Sequence, residues 1–169
     1  MGSEPIYKLS REIDEKGHQF VLTSSGELEF GGINSNSSLT PAPIFLSEGG
    51  IYGYGLVHIE AQHGNQIRNK GYRSVIEFIE DVAKNYSVIR EGHLRTDNKT
   101  YLIQLIKGRY NYTLIVELSK DGTYWNINTA GIFRVSYAAN NKIVYDGNAM
   151  SIPQSDIAGM SIAPNQILI

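Results

Sequence analysis

The sequence predicts an α+β fold in which two helices are followed by an antiparallel meander. Three observations predict it. Apolar residues recur at helical spacing between Leu56 and Ile67. A second helical stripe opens on Ser74-Val75-Ile76-Glu77, a capping-box pattern. From Ser87 onward the period changes to two, the mark of strands. Helices and strands segregated along a chain in this way argue for α+β.

Residues 4–16 are polar and show no clear period. Gln19-Phe20-Val21-Leu22 and Glu27-Leu28-Glu29-Phe30, joined through Ser24-Ser25-Gly26, read as a hairpin. Gly31 to Thr40 is rich in Gly, Asn and Ser and reads as a loop. Ile44-Phe45-Leu46 is a short extended segment, broken by Ser47-Glu48-Gly49-Gly50. The first helix is expected from near Gly55 to about Lys70, with Gly71 as its stop and Leu56, Ile59, His63 and Ile67 on its inner face. The second is expected to end near Asn85, burying Val75, Ile76, Phe78, Ile79, Val82 and Ala83. Strands are expected at Ser87–Arg90, Tyr101–Ile106, Tyr110–Leu118, Thr123–Thr129, Ile132–Tyr137 and Lys142–Tyr145. Ser119-Lys120-Asp121-Gly122 is a hairpin turn. The chain divides into an N-terminal extension with a hairpin and polar loop (1–43), a main domain (44–147) and a polar C-terminal tail (148–169).

The 169 residues suffice for one domain with a real core. Absence of cysteine excludes disulfides, thiol catalysis and thiolate metal sites, and fits a cytoplasmic setting. No apolar run is long enough to span a bilayer, and the first residues lack the pattern of a signal peptide. The net charge of −2 is unevenly spread. Residues 1–50 hold 3 Lys/Arg against 7 Asp/Glu, residues 51–145 hold 12 against 8, and residues 146–169 hold 0 against 2. A mildly basic middle permits a phosphate-bearing ligand without demanding one.

His58 and His63 stand out, five residues apart behind Gly53 and Gly55. On an ideal helix they point about 140° apart, so a regular helix alone does not pair them. His63 falls in the apolar stripe, where a satisfied core histidine is the plain alternative. The spacing is not the H-E-x-x-H of a zinc site, so no metal or cofactor is expected. Gly55 at the helix start is a candidate anion site, with a simple turn as the alternative. Lys107, Arg109, Arg95 and Arg134 are candidate phosphate-holding cations, with solvated strand positions as the alternative.

Gly53-Tyr54-Gly55-Leu56-Val57-His58-Ile59, followed by His63-Gly64, resembles a motif of barnase/EndoU/colicin/RelE-like nuclease domains, in particular those of phage and mobile-element polyvalent proteins. Gly71-Tyr72, Phe78-Ile79-Glu80-Asp81-Val82, Val116-Glu117-Leu118 and Asn128-Thr129-Ala130 extend the likeness over roughly residues 44–145. It implies two N-terminal helices packed on a curved antiparallel sheet of four or more strands, with the hairpin as an extension. It also implies metal-independent cleavage of RNA, tRNA among the candidates, by a toxin- or effector-like endoribonuclease held in check by an immunity or antitoxin protein. The motif carries over to His58 and His63 as acid and base, and to Thr129. The family's Thr-Ala-Tyr-Pro strand end continues here as Gly131-Ile132, which leaves Tyr137 as a substitute for its tyrosine. Gln62 stands where relatives often carry arginine, which leaves Arg134 or Lys107 to hold phosphate, with Arg109 and Gly55 as further phosphate-binding candidates. A catalytically inactive relative that binds RNA or protein within a larger protein is the alternative.

Overall fold

The computed structural model describes residues 7–34, 37–94 and 99–147. Over these residues it is an α+β structure of nine strands and two helices. Four strands precede the helices: β1 (Leu9–Ile13), β2 (Gln19–Val21), β3 (Gly31–Ile33) and β4 (Ala42–Ser47). Next come α1 (Leu56–Asn69) and α2 (Val75–Asn85). The meander follows as β5 (Val88–Leu94), β6 (Lys99–Lys107), β7 (Tyr110–Leu118), β8 (Trp125–Arg134) and β9 (Ile143–Asp146). The open sheet runs β1-β2-β4-β8-β7-β6-β5-β9, with β3 paired to β4. Arg95 and the tail from Asn148 lie outside the described residues.

Three features depart from the expected layout. The helices are preceded by strands that join the same sheet, because β4 pairs with β8 through Ile44↔Trp125 and Phe45↔Asn126. That pair is parallel, so the sheet is mixed rather than wholly antiparallel. The expected partner of Gln19–Leu22 was Glu27–Phe30, yet β2 pairs with β1 and β4. Residues 23–27 instead close a local turn in which Gly26 (φ 86°) donates to the Thr23 carbonyl and Thr23 to the Glu27 carbonyl. Phe30 is then free to enter the core, fully buried.

Local chemistry sets the helix ends. Gly55, at φ 97°, is the residue before α1. A Cβ there would stand 2.6 Å from the Ser47 carbonyl oxygen, so only glycine lets the chain turn so close to β4. Ser74 Oγ accepts from the Glu77 N–H at 3.1 Å, half of a capping box. The Glu77 carboxylate reaches back one residue further than the pattern implies, to the Arg73 N–H at 3.0 Å. Six apolar residues of α2 are buried and join one core with Ile103, Leu114, Val116 and Ile127 of the sheet. Phe78→Ala is expected to cost about 3–5 kcal/mol, read as a lower urea midpoint at unchanged slope.

β8 absorbs two expected strands into one. The register runs through Gly131, opposite Thr113, without a break. The irregularity lies earlier, between Ile115 and Val116 of β7, where Asn128 becomes the extra residue of a bulge.

Candidate functional site

Strand alternation gives the β5–β8 sheet two unlike faces. Ile89, Ile103, Leu114, Val116, Ala130 and Ile132 share the core with the helices. On the other face, register aligns Gln104 with Thr113 and Thr113 with Gly131. Gln104 and Thr113 are fully buried there, and Asn111 is 3% exposed. Their side chains form a chain of contacts. Arg90 Nε donates to Gln104 Oε1 at 3.2 Å, Gln104 Nε2 to Thr113 Oγ1 at 3.4 Å, and Thr113 Oγ1 to the Asn111 carbonyl at 3.4 Å. Arg90 Nη1 also donates to the Ala139 and Asn141 carbonyls, at 3.0 and 2.9 Å. It thereby ties the turn after β8 to the sheet.

His63 reaches this face from α1. Among the described residues no strand pairs with the β4 side of β8 beyond Asn126, and α1 serves that edge instead. The Gly55 N–H donates to the Asn128 carbonyl at 3.1 Å. Gln66 Nε2 donates to the Ile132 carbonyl at 3.1 Å, and Gln66 Oε1 accepts from the Ile132 N–H at 3.4 Å. The Gln66 amide thus takes the place of a neighbouring strand at an otherwise open edge. One turn earlier, the His63 ring occupies the space that a side chain at Gly131 would need, 3.1–3.3 Å from its Cβ position. The ring also meets Phe133 edge-on at 6.1 Å, and Phe133 stacks on Tyr137 at 4.5 Å. Gly131→Val is therefore expected to displace His63 and to remove any activity that depends on it. Near-wild-type His63 chemical shifts in that variant would contradict this placement.

Burial lowers the His63 pKa from its ordinary value. The Gln66 side chain works against that shift, and the nearby His58 adds to it. His63 is therefore mainly neutral at pH 7 and fit to accept a proton.

His58 occupies another side of α1. Its Nδ1 lies 3.2 Å from the Ile51 carbonyl in the glycine-rich segment before the helix. The two histidines feel each other electrostatically, but no hydrogen bond joins them.

The remaining sequence candidates separate. Thr129 shares a face of β8 with Gly131 and Phe133, and its buried Oγ1 has no hydrogen-bond partner. Tyr137 reaches the cluster through its stack on Phe133. Arg134 is placed by register opposite Tyr110, on the helix side of the sheet and away from His63. Lys107 is also on that side, bound to Asp81 at 3.1 Å and to the Tyr72 hydroxyl at 3.3 Å, over the Tyr72 and Tyr112 rings. Arg109 is exposed in the β6–β7 turn, where its carbonyl accepts from the Val135 N–H. Gly55 does not offer an anion site, since its N–H is spent on Asn128 and the Val57 N–H on the Glu48 carbonyl.

Sequence reasoning missed Arg90, Gln104, Asn111 and Thr113. A signal existed in the last three, which are polar residues at alternate positions within otherwise apolar strands. It also missed Asp14, 7% exposed, which organises the segment leading to α1. One Asp14 oxygen accepts from Ser47 Oγ at 2.6 Å and from the Tyr54 hydroxyl in a short bond. The other accepts from the Lys16 and His18 N–H groups at 2.8 and 3.0 Å. Burial, then the Asp14 carboxylate, push the Tyr54 hydroxyl far above its usual range, so it stays a donor. Among the described residues no three His, Asp or Glu side chains converge as a metal site, and no helix is long and apolar enough to cross a membrane.

Comparison with known proteins found no match to a family model, a curated protein or a solved structure.

Proposed function

We propose that this chain is a metal-independent endoribonuclease whose site is the polar face of the sheet around His63. The observation that carries the reading is the seating of His63 over Gly131. It sets a neutral imidazole beside the Thr113 and Thr129 hydroxyls on a face that carries the Gln104 and Asn111 amides among apolar neighbours such as Ile115 and Phe133. In the reaction the ribose 2′-oxygen bonds to its own phosphorus and the bond from phosphorus to the 5′-oxygen breaks. His63 takes the 2′-hydroxyl proton, and His58 gives one to the departing 5′-oxygen. Thr129 is the group on this face suited to the phosphorane, a buried hydroxyl without a protein partner among the described residues, whereas the Arg90 guanidinium is committed to Gln104 and to the Ala139 and Asn141 carbonyls. Resemblance to barnase/EndoU/colicin/RelE-like domains supports the reading, together with its two-helix, curved-sheet layout. A toxin or effector of a phage or mobile element, acting on cytoplasmic RNA and restrained by an immunity or antitoxin protein, goes with it.

A second reading is an inactive nuclease-like fold that binds RNA or protein. Its support is specific. Arg134 lies on the opposite face and Lys107 is paired with Asp81, so neither serves His63. Incubation of tRNA with the wild-type chain in EDTA separates the two. Fragmentation supports the nuclease, while retention of intact, bound tRNA supports the binding module.

A further inference from the structure

Two polar atoms on the His63 face are buried without a partner among the described residues, Asn111 Oδ1 and Thr129 Oγ1. A buried acceptor left without a donor is costly, and native structures keep few of them. Their positions are ordered. Asn111 is opposite Phe133, Thr113 opposite Gly131, and Ile115 opposite Thr129. The His63 seat is therefore the middle row. The two unpaired groups lie one row to either side, each about 7 Å along the strands. Thr129, a hydroxyl, suits a sugar or phosphate oxygen. Asn111 is different, because what it lacks is specifically a donor. Its own backbone carbonyl already accepts from Thr113. Beside it lie the stacked rings of Phe133 and Tyr137, with Tyr137 39% exposed.

We propose that Asn111 is the specificity-determining residue of the site, its amide oxygen reading the exocyclic amine of a nucleobase that stacks on the Phe133–Tyr137 pair. The inference rests on the ribonuclease reading for the identity of its ligand. An N–H donor satisfies the unmet acceptor, and an aromatic face beside an amide is what a flat, amine-bearing ring requires. Adenine, cytosine and guanine carry such an amine; uracil offers only its ring N3–H, set between two carbonyl oxygens that the Asn111 oxygen repels, so the site favours the first three over uracil. Reaching the amide requires the Phe133–Tyr137 pair to part. Tyr137 belongs to the turn after β8, which Arg90 holds through the Ala139 and Asn141 carbonyls.

The test is a binding titration of short oligo(A), oligo(C), oligo(G) and oligo(U) in a His63→Ala background, so that cleavage does not enter. A parallel cleavage assay uses the otherwise wild-type chain. The expected result is weaker binding of oligo(U) than of the other three, by roughly tenfold. Asn111→Leu should abolish that difference while the thermal midpoint holds or rises. Asn111→Asp, which keeps an acceptor oxygen, should retain it. If Asn111→Leu does not fold, Asn111→Ser, whose oxygen is withdrawn from the base, carries the same expectation. Equal binding of all four oligomers, or a preference that survives Asn111→Leu, overturns the proposal. Amine-selective binding that depends on Asn111, in a chain that cleaves nothing, upholds it and overturns the nuclease reading alone.

Discussion

His63→Ala is expected to slow RNA cleavage by roughly 10²–10⁴-fold, the usual worth of a positioned acid–base group, with the fold intact. The fold should survive because His63 is only half-buried at the sheet edge, and Gln66 keeps α1 on β8 through Ile132. Removing the ring opens space over Gly131 without leaving a backbone group unpaired. The pH profile adds a readout that a merely structural residue would not give. Burial holds the imidazole below its ordinary 6.5, so the required neutral base persists into mildly acidic solution. The acid limb of kcat/KM should therefore fall away below 6.5, as His63 becomes protonated. A limb at or above that value would assign the base elsewhere. His58→Ala should also lower the rate.

Asp14→Ala is expected to cost about 2–4 kcal/mol of stability. The carboxylate accepts from Ser47, Tyr54 and two backbone N–H groups, so its removal strands the Tyr54 hydroxyl and the Lys16 and His18 N–H groups and leaves Ser47 only Asn126 Oδ1 at 3.2 Å. The damage should spread to the site. Asp14 ties the β1–β2 turn to β4 and to Tyr54, which immediately precedes the Gly55 turn into α1. The pH dependence has a definite sign. Burial raises the Asp14 pKa, but the hydrogen bonds from Ser47, Tyr54, His18 and Lys16 outweigh it and hold the carboxyl below 3.8. Its contribution is thus complete above the unfolded carboxyl value and is lost as pH falls through the folded one. The gap between wild type and Asp14→Ala in urea unfolding should be widest near neutrality and narrow below about pH 4. A gap that stays constant down to pH 2 would contradict the assignment.

The meander is legible in the sequence because its residues alternate cleanly. Tyr112, Leu114 and Val116 are all in the core, as their shared parity predicts. The start of α2 is legible because Ser74 and Glu77 are chemically committed to a helix end. β1 is not legible, since Leu9–Ile13 is an edge strand with both faces partly open and therefore no burial period. β3 escapes for another reason. It is three residues long and begins with two glycines. Gly31 is nonetheless well chosen, as a Cβ there would lie 2.5 Å from the Ala83 carbonyl of α2. The parallel β4–β8 pair joins segments some 80 residues apart, and no local pattern encodes such a pairing.

The site divides in the same way. Helical periodicity places His63 on the inner stripe of α1, but it does not reveal that the stripe runs off the edge of β8 at that point. Gly131 read as a break between strands because glycine is rare in strand interiors. In the structure it is the opening through which His63 reaches the polar face. Arg134 and Lys107 are candidates by their charge and as replacements for the arginine that Gln62 displaces, and strand parity carries both to the other side of the sheet. Arg90, the cation that does lie on the His63 face, sits in the expected strand Ser87–Arg90, but its bonds to Gln104 and to the turn after β8 are not encoded in any local pattern.

The central claim is that the His63 face cleaves RNA through the 2′-hydroxyl. The most direct measurement compares an oligoribonucleotide with its counterpart carrying a single 2′-deoxy substitution at the cleaved nucleotide, both in EDTA, with products analysed by mass. The account predicts a 2′,3′-cyclic phosphate from the first, no cleavage at that position in the second, and neither product from His58→Ala/His63→Ala. Cleavage of both substrates, or equal cleavage by the wild-type chain and the folded double variant, would contradict it.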